Sequence, residues 1–598
     1  MSYIPINSAK NPRSAVCRRF AGLNRKDYAS FGEFSDMKNM SSECYPFLSP
    51  AAEKSTADKF NMLSDGSTAQ NIRAVIAPPE DSSVTGFCGV IGTTFYYDGS
   101  EKPLYQPEVK DDSGNHLYGM IIPTDGVIQL LWVNKVILIH GYDSAQVDPF
   151  IYYYDTADTS DDCVKSYEYT HRGWYGEQIT GTAGKIKIIF SIDRPENFKG
   201  HFYDFKVGES LFIDGIMDYS DSRWGAKSAL DIISATVTGY TEALGSGSYG
   251  IRTWNVTIEL DGLNYKGEIA NRDFYATNVY RIYRKIPYMT HLTLHKGRLW
   301  GASPNGEFVY ASALNDVFNF NLYDGLEDDS VYLESSTEGG HKGVISCGNC
   351  VAVLKKNSFD AIYGELPSEF SVGKSYSGIG CIDINSAVVI NNALFFLGSR
   401  GFYEWTGSRP VLISEKLGKK YVSAYGFTDG LKYYVSAYDG REYENLAYDI
   451  KYMTWHRNGT DCYTGGFLKD GKNYAVSGGN LYLLGANAEK SEWMAESAKI
   501  FCEDFDMDRI GEMWIYLKAE ENGEIEVMSS ADGEQMTSCL RVSLKKTGGR
   551  CIRVPIRMKE GMYWQYRIKG KGKIIIFGIK IIYESGGRVY KNERSNEL

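Results

Sequence analysis

Three short spacings in this 598-residue chain hold residue types that do chemistry in other settings. His291 and His295 stand four apart, the separation that aligns two zinc ligands on one helix face. The surrounding THLTLHKGRLW alternates like a strand, however, and no Glu follows the first His. Cys347-Gly348-Asn349-Cys350 has CxxC spacing, but no second CxxC or His pair completes four ligands, and its middle residues sit where a hairpin should turn. Gly245–Gly250 (GSGSYG) matches G-x-G-x-x-G, which grips a pyrophosphate only when it opens a helix. Residues 251–260 alternate as a strand instead, so this motif reads as a hairpin loop. No G-x-S-x-G elbow lies between a strand and a helix, and sequence alone cannot set two carboxylates across a glycosidic bond. No residue is assigned a catalytic role, and neither cofactor nor metal is expected.

Two looser groupings bear on binding. Glu327-Asp328-Asp329 reads as a solvated turn or as part of an acidic wall that repels a passing polyanion. Trp174, Trp224 and Trp254 offer rings for sugar stacking, although core or interface packing is the commoner fate of such side chains. Trp224 and Trp254 are the residues on which glycan recognition would rest.

The elements that must position these residues are strands. Gly126–Tyr142, Thr290–Tyr310, Val344–Gly364, Asn385–Trp405 and Thr464–Leu484 each run strand, polar turn, apolar strand, then a Gly-flanked aromatic strand. Val422–Trp455 is a degenerate member of the series. The turns at Gly297, Asn349, Asn392, Gly430 and Gly471 are separated by 52, 43, 38 and 41 residues. A strand-rich repeat of roughly 40–50 residues without helix predicts β-propeller blades. The repeat breaks over 166–285, where KIKIIFSID, FKVGESLFIDG, DIISATVTGY and RTWNVTIEL predict a small β-barrel or sandwich inserted into a blade loop. Residues 489–598 alternate in six short strands and predict a C-terminal β-sandwich with a polar tail. Residues 1–75 read as an extended arm, 76–165 as the first blades and 286–488 as the remaining ones. The fold class expected is therefore all-β: a β-propeller with an inserted barrel or sandwich and a C-terminal sandwich.

Composition agrees: 45 Tyr and 62 Gly against 16 Pro suit half-buried strands joined by tight turns. A net charge of −11 argues against wrapping nucleic acid, which needs Lys/Arg stripes to release counterions. No apolar run approaches the 18 or so residues of a membrane span. The eleven Cys are odd in number and mostly sit in apolar strand patterns (Cys88, Cys347, Cys381, Cys462), which favours reduced thiols and assembly in a cytoplasm. MSYIPINSAK has no charged segment followed by an apolar one, so no secretory signal is expected.

From Arg298 to Leu417 the chain resembles a family of virion proteins of tailed phages that infect Firmicutes. Arg298-Leu299-Trp300-Gly301 followed by Val309–Phe320 (VYASALNDVFNF) is similar to that family's "RLWG…IYASKLGDPFNW" stretch. Phe359–Phe370 (FDAIYGELPSEF), Gly378-Ile379-Gly380 and Leu394–Trp405 (LFFLGSRGFYEW) continue the likeness. Asp36–Pro50 (DMKNMSSECYPFLSP) resembles the family's arm, and Phe205–Gly215 (FKVGESLFIDG) its inserted unit. The basic residue that usually follows the arm's last Pro is Ala51 here, which removes any anion contact expected of it. A more distant similarity links these blades to podophage tail nozzle and DNA-stabilising hub proteins.

The resemblance implies a structural protein of the virion, in a tail or neck ring that retains genomic DNA and lets it pass. The expected partners are further copies of the chain, taken as six, with adaptor or portal-proximal and other tail proteins, and DNA bound without sequence preference. Tyr45, Pro46 and Phe47 of the arm are the expected contacts with a neighbouring subunit, and Glu327, Asp328 and Asp329 the expected acidic lining. The competing expectation is a receptor- or glycan-binding propeller of a tail tip or fibre.

Overall fold

The structure is a computed structural model that describes residues 13–585, with interruptions of seven residues or more at 58–70, 80–86, 143–149, 167–173, 194–206, 218–228 and 262–273 and shorter ones elsewhere. Among the described residues the regular elements are strands, apart from one 3-10 turn at Glu415–Leu417. The fold is all-β, a β-propeller carrying an inserted barrel and a C-terminal sandwich. The chain divides into two compact units, Gly92–Ile384 and Met1–Ile91 with Asn385–Leu598.

In the first of these, three four-stranded antiparallel sheets form blades. They start at Val127–Val133, Leu292–His295 and His341–Cys347 and end at Lys165–Ser166, Val331–Glu334 and Ser371–Ser377. Adjacent blades bury apolar faces against each other: Leu138 and Ile151 pack with Leu292 and Leu299, and Trp300 and Val309 pack with Val344 and Val353. Stacking of this kind makes each sheet the core of its neighbour. The inserted segment forms a closed six-stranded barrel, in which Trp174–Thr182 and Ser210–Asp214 both pair with Phe274–Arg284. The barrel bears out the inserted β domain expected from the break in repeat spacing.

In the other unit, blades run from Asp383–Ile390 to Val411–Leu412 and from Ser423–Thr428 to Thr454–Gly459, the latter being the degenerate repeat. A further blade contains Gly465–Lys469, Lys472–Ser477 and Asn480–Leu484, and its fourth strand is Ser55–Thr56 from the opposite end of the chain. Its neighbour approaches closely: a Cβ on Gly466 would lie 2.5 Å from the Phe427 ring. The blade turns follow backbone chemistry. Lys296 and Gly297 have φ of 47° and 74°, Asn391 and Asn392 50° and 63°, and Asp470 and Gly471 51° and 67°. Two successive left-handed residues make the type I′ turn whose twist matches a β-hairpin.

The arm differs from its sequence reading. Arg13–Cys17 pairs with Ile574–Ser585, and Phe34–Lys38 pairs with Glu492–Ser497, so each sheet of the C-terminal sandwich takes one strand from the N-terminal segment. Without them those strands would end in bare edges. Phe34 and Met37 are fully buried, and Phe34 stacks on Phe20 with ring centroids 5.9 Å apart.

Candidate functional site

The residues singled out for chemistry are spent on packing and hydrogen bonding. His291 donates from Nδ1 to the Val344 carbonyl at 3.0 Å, leaving Nε2 to accept from Gln129 Nε2 at 3.0 Å. Gln129 also pairs with both backbone groups of Leu292, at 2.7 and 2.9 Å. His295 Nδ1 meets Ser346 Oγ at 2.9 Å. Both rings tie their blade to the next, and burial pushes both pKa values down to about 4. Cys347 and Cys350 face each other across a tight hairpin, and burial raises the Cys347 pKa to about 12. No group of metal-ligating side chains occurs among the described residues. Ser246 of the G-x-G-x-x-G match pairs with Arg252 in an antiparallel strand, and Gly247–Gly250 lie outside the described residues.

Glu327 and Asp329 wrap a buried cation through their backbone carbonyls, while the Asp328 carbonyl accepts from Leu314 N at 2.9 Å. Arg298, 1% exposed, donates to the carbonyls of Ser312 (2.9 Å), Glu327 (2.6 Å) and Asp329. Glu327 and Asp328 point their side chains to the surface, whereas Asp329 is buried. Trp224 lies outside the described residues. Trp254 stands in Arg252–Asp261, opposite Ile192 and Leu244. Tyr45 stacks on Tyr452 with centroids 4.0 Å apart, Phe47 meets Phe577 edge-on at 4.9 Å, and the Pro46 carbonyl accepts from Phe20 N at 3.0 Å. All three arm residues are half-buried and fastened to their own unit.

A site not anticipated from sequence lies between the last two blades of the Asn385–Leu598 unit and the arm. It is a cleft of about 1040 Å³. One wall is Ser423–Gly459, another Gly465–Leu484, and the arm contributes Lys38–Glu43, Ala51 and Lys54. Asn39 sits left-handed at φ 52° and donates to the Glu492 carbonyl at 2.8 Å, which holds the arm's bend over the opening. Three of the charged lining groups, Asp429, Lys54 and Asp461, are already engaged. Asp429 accepts from Leu431 N (2.9 Å), Lys432 N (2.8 Å) and the Tyr434 hydroxyl (2.8 Å). Lys54 pairs with Asp461 at 2.7 Å and lies 4.4 Å from the Tyr482 ring centre. His456 forms part of the wall with its pKa held down to about 4 by burial and the nearby Lys432 charge.

Three lining asparagines stand apart. Asn445 Oδ1, Asn458 Oδ1 and both side-chain polar atoms of Asn473 are buried and have no hydrogen-bond partner among the described residues. Asn445 and Asn458 meet at a β-bulge: Asn445 pairs with Gly459 and Leu446 with Arg457, leaving Asn458 as the extra residue. A bulge re-aims a side chain that regular pleating would send elsewhere. Asn458-Gly459 reads in sequence as a hairpin signal, so nothing local to it discloses a bulge.

No family model and no curated protein matches this chain. Solved structures that it resembles include Hsv2 of Kluyveromyces lactis, at 8% identity and a TM-score of 0.24 over 62% of this chain and 93% of that one. Another is the exo-beta-1,3-galactanase of Phanerochaete chrysosporium, at 9% identity and a TM-score of 0.17 over 80% of this chain and 99% of that one. Likenesses this distant say nothing about function. The described residues contain no helix long and apolar enough to cross a membrane.

The arm is held beside the cleft by a buried ion cluster. Glu444, 1% exposed, accepts two hydrogen bonds from Arg25 (3.0 and 3.1 Å), one from Lys419 (2.6 Å) and one from the Tyr421 hydroxyl (3.0 Å). Burial alone would raise the Glu444 pKa, but Arg25 and Lys419 outweigh it and hold the carboxylate below its ordinary range. Glu444→Ala removes four hydrogen bonds, leaves Arg25 with Asp36 at 3.9 Å and Lys419 with Asp439 at 3.4 Å, and is expected to cost about 3–5 kcal/mol in urea unfolding. A loss below about 1 kcal/mol would show that the cluster adds nothing to the arm's attachment.

Proposed function

We propose that this chain is a structural subunit of a tailed-phage virion, part of a ring in the tail or neck through which genomic DNA is held and released. The observation that carries the reading is where the reactive side chains go. The described histidines among the blades, the CxxC pair and Arg298 serve as buried fastenings within and between sheets, as a stiff wall requires. The likeness of the Arg298–Leu417 stretch and of Asp36–Pro50 to phage virion proteins supplies the kind of particle. Charge supports the same reading. Six copies would carry about −66 formal charges, a field that favours sliding of DNA over adhesion. Closure of such a ring needs a head-to-tail interface repeated around an axis. Adaptor or portal-proximal proteins would meet its ends, and assembly would take place in the host cytoplasm.

The proposal assigns the protein no enzymatic role. A map of purified particles at moderate resolution tests it. Density for the blades around the tail axis is the expected result, and particles that lack the chain would overturn it.

A further inference from the structure

We propose that the cleft between the last two blades is a binding site for an uncharged saccharide. The inference stands on the cleft's own geometry and goes beyond the wall role proposed above. Asn445 is 4% exposed yet lines the cleft with its side-chain carbonyl unpaired, and Asn458 does the same from the bulge beside it. A buried carbonyl left without a donor costs about 1–3 kcal/mol, so two at one bulge describe a surface prepared for donors from outside the protein.

The rest of the lining selects among donors. A cation is disfavoured because Asp429 is occupied by its own turn and Tyr434, and Asp461 by Lys54. An anion is disfavoured because it would face the two unpaired carbonyls, and because Glu43, Asp429 and Asp461 offset three of the four lining lysines, Lys38, Lys54, Lys432 and Lys472. A hydroxyl group suits both demands. It can give its proton to an Asn carbonyl or accept from the ammonium of Lys432, which lies 3.4 Å from Ser41 Oγ. Hydroxyls spread along a rigid oligosaccharide would reach Asn445 and Asn458 at the bulge and Lys432, which pairs four residues further along the same strands, with little ordering entropy. The volume is ample for an oligosaccharide. Ala51 on the cleft wall adds no charge.

The test uses the full chain on an array of neutral oligosaccharides, followed by titration calorimetry with the strongest candidate. Binding at a dissociation constant of about 1 mM or tighter is expected, weakened about tenfold by Asn458→Ala and by Lys432→Met. Both residues are only partly buried, and unchanged melting temperatures would confirm that each variant folds. A flat array overturns the proposal, whether or not the particle map finds the chain in a virion. So does saccharide binding that survives both changes and is abolished by Trp254→Ala, which would place the site in the barrel. Binding of extended peptides in place of saccharides would likewise reject it, since an asparagine amide also pairs with peptide backbone.

Discussion

Removal of residues 1–57 is expected to abolish folding of the Asn385–Leu598 unit rather than trim a disposable arm. The deletion takes Arg13–Cys17 from one sandwich sheet, Phe34–Lys38 from the other, and Ser55–Thr56 from the last blade. It also removes Arg25 from the buried Glu444 carboxylate. Phe34 is fully buried, and its replacement by Ala is by itself expected to cost about 3–5 kcal/mol. A domain is typically stable by only about 5–15 kcal/mol, so losing all of these together exceeds the margin. Soluble yield and thermal unfolding of the truncated chain check this. A truncated protein that melts cooperatively at the full-length temperature would refute it.

Acidification from pH 7 to pH 5 is expected to destabilise the Gly92–Ile384 unit. His140, His291, His295 and His341 all lie there, and burial is the main reason that their pKa values fall, to about 3 for His140 and about 4 for the others. The unfolded chain binds protons near pH 6.5 while the folded chain does not, so stability rises with pH across the window from about 4 to 6.5. Moving down that window, each fully buried histidine withdraws roughly 3 kcal/mol. The other unit has His456, with its pKa also near 4, and should lose less. Urea midpoints measured at pH 7, 6 and 5 give the slope, and His140→Gln should flatten it. Equal midpoints at pH 7 and 5 would contradict the account.

What sequence disclosed was whatever neighbouring residues decide. The turn at Gly297 and the paired asparagines at 391–392 announce hairpins because left-handed backbone favours those residue types. The blades followed from the turns, and the inserted barrel from the break in their spacing. Pairings such as Ala15↔Ile581 stayed hidden, because nothing in RSAVC specifies which distant edge it will cover. Ser55–Thr56 is too short to show any period at all. The cleft was equally invisible. Asn458 is an extra residue only in relation to the strand opposite it, so its unpaired carbonyl becomes meaningful once the pairing of Asn445 with Gly459 is known.

The interleaving of both chain ends has a consequence for biosynthesis. Ser35 bonds to a partner 461 positions downstream, and a ribosome adding about 5–20 residues per second needs roughly 20–90 s to deliver it. Throughout that delay the apolar face of Phe34 and Met37 has left the exit tunnel and has no native surface to cover it. Chaperone demand during translation should therefore concentrate on the first forty residues, and slowing elongation late in the message should lower the yield of folded protein.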